Sequence, residues 1–235
     1  MTTSLFFDLD GTLTDPRDGI LRCLQYALAG IQVPVPTEAD LTRLIGPPLQ
    51  ESFRYVLGPS KAHLVPDAIA LYRERFGTIG MFENAVYPGI PEGLAALARA
   101  GWRLFVVTSK PTAFARPILQ HFDLVHHFSG IYGSELSGER SDKGNLISYV
   151  LEAEHIPAEQ AAMIGDRSHD VIGARANKVR AIGALWGYGT HEELAEAQAD
   201  RIYATVPEMF SDLLHAAPDV QANSQLNLTG AAPAS

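Results

Sequence analysis

Two aspartates one residue apart, Asp8 and Asp10, follow a short apolar run at residues 4–7. The spacing of a strand would point both carboxylates toward one side, and Gly11 permits a turn directly after them. Carboxylates placed in this way can act as a nucleophile, as a general acid and base, or as metal ligands. A plain strand-to-turn junction is the structural alternative, because Asp and Gly are also ordinary turn residues.

A second acidic motif contains Asp166 and Asp170 in the segment MIGDRSHD, again directly after an apolar run at residues 161–164. A helix starting here would place the two carboxylates on roughly the same face, although a helix cap is the structural alternative for Asp166. Carboxylates that gather at one edge of a sheet repel one another unless a cation joins them, and oxygen ligands of this kind suit Mg²⁺. The two motifs together therefore predict a Mg²⁺ site.

Hydroxyl and basic residues elsewhere could bind an anion. Thr108 and Ser109 follow an apolar run and precede a helix-like segment, whose free N–H groups would bind phosphate; an ordinary helix cap is the alternative. Lys143 begins another helix-like segment and could neutralise phosphate and carboxylates together. Lys110 and Arg167 compete for that role, and a solvated surface charge is the alternative in each case.

The elements that position these residues alternate along the chain. Short, nearly continuous apolar runs are typical of strands buried on both faces, and the segments between them have helical spacing. Strands are predicted at residues 4–7, 103–107, 128–132, 161–164 and 180–185, and helices at 91–100, 112–122, 143–154 and 168–177. This α/β alternation predicts a Rossmann-like, doubly wound parallel sheet with the site at one edge.

Residues 15–84 interrupt the alternation, since they contain helical periodicity at 20–31 and 68–76 but no convincing strand. We therefore predict a small α-helical cap at residues 15–83, inserted after the first strand. The core would comprise residues 1–14 and 84–215, with the sheet resuming at Val86. Residues 216–235 are rich in Ala, Asn, Ser and Pro, a composition that predicts a disordered tail.

The composition restricts the classes of function. The chain has 235 residues, a formal charge of −9 and a pI near 5.3, which disfavours binding of a nucleic-acid polymer. Cys23 is the single cysteine, so an internal disulfide and a cysteine-based zinc cluster are excluded. The start of the chain does not resemble a signal peptide, and no apolar run approaches the roughly 20 residues of a membrane helix. The predicted location is the cytoplasm, with no membrane partner.

The four motifs, in their order along the chain, resemble those of the haloacid dehalogenase-like hydrolase superfamily. The resemblance extends over nearly the whole chain apart from the tail. The segment DLDGT at residues 8–12 resembles the first motif and Thr108 the second. Lys143 resembles the third motif, and Asp166 with Asp170 resembles the fourth.

The inserted helices resemble the cap of the subfamily that includes phosphoglycolate phosphatases and β-phosphoglucomutases. Within it, the segments at residues 133–144 and 165–174 are most similar to bacterial 5′-nucleotidase-like members. A dehalogenase is disfavoured because its first motif lacks the second acid, Asp10.

The resemblance implies a role for each site residue. Asp8 would be the nucleophile that forms an aspartyl-phosphate, and Asp10 would act first as general acid and then as general base. Mg²⁺ would be bound by Asp8, the Asp10 carbonyl and Asp166, with Asp170 acting behind them or through water. The phosphate would be held by Thr108, Ser109, Lys143 and the backbone amide of Leu9.

The implied activity is a Mg²⁺-dependent phosphatase for a small phosphorylated metabolite, with a nucleoside 5′-monophosphate favoured and phosphoglycolate next. The alternatives are a β-phosphoglucomutase-like phosphotransferase and a catalytically inactive binding or regulatory module on the same fold. Specificity is expected from the cap loop that contains Arg43, Gly46 and Pro47. The assembly is expected to be a monomer or a homodimer.

Overall fold

The computed structural model describes residues 3–217 of the chain, so residues 218–235 of the predicted disordered tail lie outside the described residues. In chain order the elements are β1 (Ser4–Phe7), β2 (Thr14–Asp15), α1 (Arg17–Gly30), α2 (Glu38–Thr42), α3 (Leu49–Leu57), α4 (Val65–Thr78), β3 (Ala85–Val86), α5 (Ile90–Arg99), β4 (Arg103–Pro111), α6 (Thr112–His121), β5 (Gly130–Ser134), α7 (Lys143–Ala153), β6 (Ala161–Gly165), α8 (Ser168–Ala176), β7 (Arg180–Ala184), α9 (His191–Glu196), β8 (Arg201–Tyr203) and α10 (Val206–His215). Short 3₁₀ turns connect several of them, at Pro59–Leu64, Gly80–Phe82, Val125–His127 and Ala158–Gln160.

The main sheet has six strands in the order β5-β4-β1-β6-β7-β8, and every neighbouring pair is parallel. Its central strand β1 is fully buried on both faces: Leu5 and Phe7 pack into one apolar cluster, whereas Phe6 packs into another on the opposite side. Both faces are therefore covered by helices, which explains why the strands are nearly continuous apolar runs. The predicted doubly wound parallel α/β fold is confirmed.

The chain beyond β7 forms elements that the sequence did not reveal. Strand β8 has three residues, and helix α9 is short and charged, so neither gives a clear hydrophobic period. Helix α10 packs against α5, and the Phe210 ring lies so close to Gly93 that a Cβ there would approach it to 2.3 Å. Within the described residues, no helix combines the length and apolar character needed to cross a bilayer.

A helical insertion, defined here as α1 to α4, lies between β2 and β3. Helix α1 packs against α4, and Tyr72 of α4 stacks on Phe76 with ring centroids 5.3 Å apart. The two linker segments pair as a small antiparallel ribbon, Thr14 with Val86 and Asp15 with Ala85. The expectation that the main sheet resumes at Val86 is therefore wrong, because this residue pairs with the outgoing linker and the sheet resumes at β4.

Candidate active site

The carboxyl ends of three neighbouring strands bring the predicted polar residues together. Strand β1 pairs with β4 on one side and with β6 on the other, and these strands lead to Asp8, Thr108 and Asp166. The Asp8 amide donates to the Ile164 carbonyl at 2.9 Å, which extends the pairing of β1 and β6 by one residue. All three polar side chains are buried, with Asp8 only 4% exposed. The rigid centre of the sheet therefore sets their positions.

Lys143 is the cation that the fold places among the acidic residues. Its Nζ lies 3.1 Å from Asp8 Oδ1 and 2.8 Å from Asp170 Oδ1, and it donates to the Val107 carbonyl at 3.0 Å. Lys143 is the first residue of α7, and the start of this helix lies against Gly173 of α8, where a Cβ would come within 2.9 Å of backbone. Of the three candidate cations, Lys143 therefore occupies the predicted position.

The pKa values reflect burial and this shared lysine. Burial raises the pKa of Asp8, and the attraction of Lys143 offsets that effect only in part. For Asp170, burial is outweighed by Lys143 and by the Arg167 backbone amide, so its pKa lies below the ordinary value. Although burial alone would lower it, the pKa of Lys143 is raised because two carboxylates stabilise its charge. Lys143 is thus a fixed positive charge at this site.

Asp166 is held by the loop after β7, which contains Tyr188. The Tyr188 amide donates to Asp166 Oδ2 at 2.8 Å, and the Thr12 hydroxyl lies 3.4 Å from Oδ1. A Cβ at Gly187 or Gly189 would come within 2.5 Å of Asp166 atoms, so only glycine permits this approach. Burial, followed by the nearby Asp170 and Asp8, raises the pKa of Asp166 well above its usual value. In the sequence, the glycines on either side of Tyr188 were the feature that could have indicated this close approach to Asp166.

The buried acidic cluster, defined as Asp8, Asp166 and Asp170, has the chemistry of a divalent metal site. The cluster and Lys143 are all buried, so one lysine would leave two negative charges unbalanced if all three carboxylates were ionised. Ligand atoms of Asp8, His169 and Asp170 lie within 4.8 Å of one another, and His169 was not predicted to belong to the site. Carboxylate oxygens in this number fit a hard divalent cation such as Mg²⁺.

Asp10 does not face Lys143. Its Oδ1 lies 2.8 Å from Lys110 Nζ, and the two side chains are only 13% and 7% exposed. The Lys110 Nζ also lies 4.7 Å from the centre of the Phe76 ring, which belongs to the helical insertion. Lys110, considered in the sequence only as a competitor of Lys143, is therefore paired with the other acid of the first motif.

Thr108 and Ser109, two of the predicted phosphate-binding residues, lie on an extended part of β4. Thr108 is buried, and hydrogen bonding by its hydroxyl to the Asp8 carboxyl opposes the rise in the pKa of Asp8. Helix α6 begins at Thr112, as predicted, but β4 continues to Pro111 instead of ending at residue 107, so Thr108 and Ser109 lie within the strand and do not cap the helix. The sheet register shifts between Thr108 and Pro111, and this irregularity shapes the backbone there.

Leu9 forms the turn between the two aspartates of the first motif. It is fully buried, and its carbonyl accepts backbone hydrogen bonds from Leu13 at 2.9 Å and from Thr14 at 3.0 Å. Gly11 has a φ of +79°, and a Cβ there would come within 2.2 Å of an Asp166 oxygen. The turn therefore needs glycine both for its backbone conformation and for its contact with the second acidic motif.

A cavity of about 410 Å³ lies between the sheet edge and the helical insertion. Asp10, Ser109 and Lys110 line its core side, and the aromatic rings of Tyr72 and Phe76 line the insertion side. The predicted specificity residues Gly46 and Pro47 also line it. The third of them, Arg43, is exposed and is not among the lining residues. The loop is held to the core by Arg167, which donates to the Ile45 carbonyl at 2.5 Å.

Comparison with known proteins places this chain in a family. The profile of the haloacid dehalogenase-like hydrolases matches residues 5–184. A 5′-nucleotidase of Pseudomonas aeruginosa is 48% identical over 195 residues, which cover 83% of this chain and 88% of that protein. Tyrosine-protein kinase PtkA of Mycobacterium tuberculosis is 42% identical over 187 residues, covering 79% of this chain and 62% of that protein. Proteins named phosphoglycolate phosphatase match at 24% to 28% identity.

The fold agrees with these matches. The crystal structure of a predicted phosphatase from Clostridium acetobutylicum superposes with a TM-score of 0.87 at 41% identity, covering 92% of this chain and 99% of that chain. The resemblance that the motifs suggested is thereby confirmed. The profile and these relatives extend over most of the chain, which therefore belongs to the haloacid dehalogenase-like hydrolase family, among its phosphatases.

Proposed function

We propose that this protein is a Mg²⁺-dependent phosphatase that hydrolyses nucleoside 5′-monophosphates through an aspartyl-phosphate on Asp8. The observation that carries the proposal is a buried acidic cluster, short of positive charge, beside a largely apolar cavity. The cluster can bind the cation and the reacting phosphate, whereas the cavity can hold the organic part of the ester. The similarity to a 5′-nucleotidase at 48% identity supports the same class of substrate.

In the first step, an Asp8 carboxylate oxygen forms a bond to phosphorus as the bond from phosphorus to the ester oxygen breaks. Asp10 gives its proton to the departing oxygen, which leaves as the nucleoside hydroxyl. In the second step, Asp10 takes a proton from water, the water oxygen attacks phosphorus, and the bond to Asp8 breaks. Inorganic phosphate leaves and the Asp8 carboxylate is restored.

The transferring phosphoryl group carries charge that this chain can stabilise. Lys143 is fixed beside Asp8, and the Thr108 hydroxyl faces the same carboxyl. We assign the backbone amides of Leu9 and Ser109 as further donors to the phosphoryl oxygens. Because these groups are held by the sheet and by α7, little reorganisation is needed when the charge shifts.

The metal ligands proposed are Asp8, the Asp10 carbonyl and Asp166, with Asp170 orienting Lys143 and the water around the ion. When bound, Mg²⁺ would neutralise charge on the phosphate and on the cluster. Asp166 is the cluster member that Lys143 does not contact, and repulsion from Asp8 and Asp170 contributes to its raised pKa. A cation next to Asp166 would relieve that repulsion.

The cavity favours a nucleoside over a compact acid such as phosphoglycolate. Its volume of about 410 Å³ lies within the range of small-molecule sites, and the Tyr72 and Phe76 rings offer an apolar wall for a base. Lys110 and Arg73, the cations among its described lining residues, are already engaged with Asp10 and with the Leu136 carbonyl. A second carboxylate on the substrate would therefore find little free positive charge.

We propose that residues 15–83 act as a cap on a core formed by residues 1–14 and 84–215. The linkers meet in the ribbon of β2 and β3, which provides a narrow connection for a hinge. Closure over the cavity would exclude water while the phosphoryl group transfers. Gly46 and Pro47 then contact the organic part of the substrate.

The test is phosphate release from a panel of nucleoside 5′-monophosphates, sugar phosphates and phosphoglycolate, with Mg²⁺ and with excess chelator. The expected result is the highest kcat/KM for a nucleotide and loss of turnover in chelator. Preference for phosphoglycolate would overturn the substrate assignment but not the chemistry. Transfer of the phosphoryl group to a second sugar phosphate, without phosphate release, would indicate a mutase. A protein inactive on the whole panel would indicate a binding module.

A further inference from the structure

Lys110 makes contacts that the proposed phosphatase chemistry does not by itself explain. Its ammonium lies between the Asp10 carboxyl of the core, at 2.8 Å, and the Phe76 ring of the helical insertion, at 4.7 Å. The Lys110 side chain is only 7% exposed. A buried ion pair gains little for folding, because the cost of removing two charges from water offsets their attraction. This pair therefore calls for a functional explanation.

The backbone of Lys110 is firmly held. Its amide lies 3.2 Å from the Thr108 hydroxyl oxygen, which accepts its hydrogen bond. Its carbonyl packs so closely on β5 that a Cβ at Gly133 would come within 2.4 Å of it. The long side chain thus starts from a fixed point at the carboxyl end of β4, next to the reacting centre.

The contact between Lys110 and Asp10 leaves bonding capacity on both groups. Although Nζ and Oδ1 are 2.8 Å apart, neither atom has a directed hydrogen-bond partner within residues 3–217. The contact is therefore a charge attraction without a directed hydrogen bond, and the Asp10 carboxyl remains available for proton transfer.

We propose that Lys110 is the positioning residue for Asp10, and that its contact with Phe76 makes this positioning depend on the helical insertion. The proposal rests on the proposed function, in which Asp10 transfers the proton. Lys110 holds the Asp10 carboxyl at the cavity wall, on the side where the nucleoside oxygen leaves. Movement of Phe76 away from the core would remove one of the two contacts that hold the ammonium in place.

The test measures the rate of Asp8 phosphorylation in single turnovers, with a nucleoside 5′-monophosphate and with an aryl phosphate. The aryl phosphate has a good leaving group that needs little protonation. Its rate of Asp8 phosphorylation therefore depends on substrate binding and nucleophilic attack, but little on proton transfer from Asp10. In Lys110→Met, we expect the nucleotide reaction to slow about 10²-fold and the aryl reaction by less than about 3-fold, as for loss of a general acid. Lys110→Arg should restore part of the nucleotide rate.

A double-variant comparison separates positioning from direct binding. Asp10→Asn should produce the same selective loss, and adding Lys110→Met to it should slow the nucleotide reaction little further, because both changes remove one function. If Lys110 instead binds the phosphate directly, Lys110→Met would slow both esters equally, and its effect would multiply with that of Asp10→Asn. Either of these results would overturn the proposal.

The dependence on the insertion has its own matched pair of variants. Phe76→Leu should reduce the ratio of nucleotide to aryl rates by a few-fold, since it removes the ring beneath the ammonium. Phe53→Leu removes a buried ring of the same aromatic cluster that contacts Tyr72 rather than Lys110, and it should leave the ratio unchanged. If Phe76→Leu and Phe53→Leu had equal ratios of nucleotide to aryl rates, the positioning of Asp10 would not depend on the helical insertion. A wild-type protein unable to hydrolyse either ester would instead disprove the proposed function.

Discussion

The buried acidic cluster and a second group of charges, at the base of the helical insertion, use the same residue types with opposite results. In the first, three buried carboxylates share Lys143. In the second, which we call the hinge cluster, Glu83 pairs with both Arg75 and Arg22 at 2.7 Å. The hinge cluster is also more exposed, since the side chains of Arg75 and Glu83 are each 19% exposed and that of Arg22 is 52% exposed.

The pKa directions follow from these differences. Hydrogen bonds from Arg75 outweigh desolvation and, with Arg22, lower the pKa of Glu83 to about 2. Burial and like charges instead raise the pKa of Asp166. The hinge cluster therefore contributes to the stability of the fold, whereas the acidic cluster is maintained against a cost in stability. Groups that oppose folding in this way are expected where the protein must bind a cation or perform chemistry.

The largest effect is expected at Asp8. Asp8→Asn should lower turnover by at least about 10³-fold, because an amide oxygen cannot replace the attacking carboxylate. The fold should persist, since the substitution also removes a buried negative charge. Phosphate release and circular dichroism together check this. Near-normal turnover would disprove the assignment of Asp8 as the nucleophile. The acidic cluster would then, like the hinge cluster, have no demonstrated part in catalysis.

Asp166 should show opposite effects on activity and on stability. Asp166→Asn should lower activity about 10²-fold, but in chelator its melting temperature should rise, because repulsion with Asp8 and Asp170 is relieved. A gain of about 1 kcal/mol corresponds to roughly 2–4 °C in a chain of this size. Mg²⁺ should raise the melting temperature of the wild type more than that of the variant. A lower melting temperature for the metal-free variant would contradict this account of the cluster.

The hinge cluster should affect stability rather than catalysis. Glu83→Gln should lower stability by about 1 kcal/mol at neutral pH, with kcat within about twofold of the wild type. Because folding lowers the pKa of Glu83 from 4.5 to about 2, this contribution is fully present above about pH 4.5 and is lost as the pH falls toward 2. Denaturation of both proteins at pH 7 and pH 3 tests this. The difference should be smaller at pH 3.

The smallest effects are expected in the loop after α2, which belongs to neither cluster. Pro47→Ala should change the ratio of kcat/KM for nucleotide and phosphoglycolate by a few-fold, because Pro47 lines the cavity. Arg43→Ala is the control from the same loop, since Arg43 is exposed and lies outside the lining, and its ratio should stay within about twofold. A larger change at Arg43 than at Pro47 would contradict the assignment of Pro47 to the substrate-binding wall.

Short-range patterns were sufficient to predict five of the six strands of the main sheet and the approximate position of each acidic residue. Strand β1 is an uninterrupted apolar run because both its faces are buried, and this property is visible in residue type alone. Gly165 and Asp166, at the end of β6, could be recognised because they follow a similar apolar run. Strand β8 and helix α9 were not predicted, because their burial depends on β7 and α8 as neighbours rather than on a strong period of their own.

Which charged residues pair with one another depends on their separation in space, which the sequence alone does not give. Lys143 was the predicted cation and Lys110 and Arg167 were its competitors, but the sequence did not give their partners. In the structure Lys110 contacts Asp10, Lys143 contacts Asp8 and Asp170, and Arg167 contacts Glu193. Local composition specifies which residues can carry charge and which segments are buried. Which opposite charges meet is decided by the order of the strands and by the close packing of α7 on α8, since electrostatic attraction depends on separation in space.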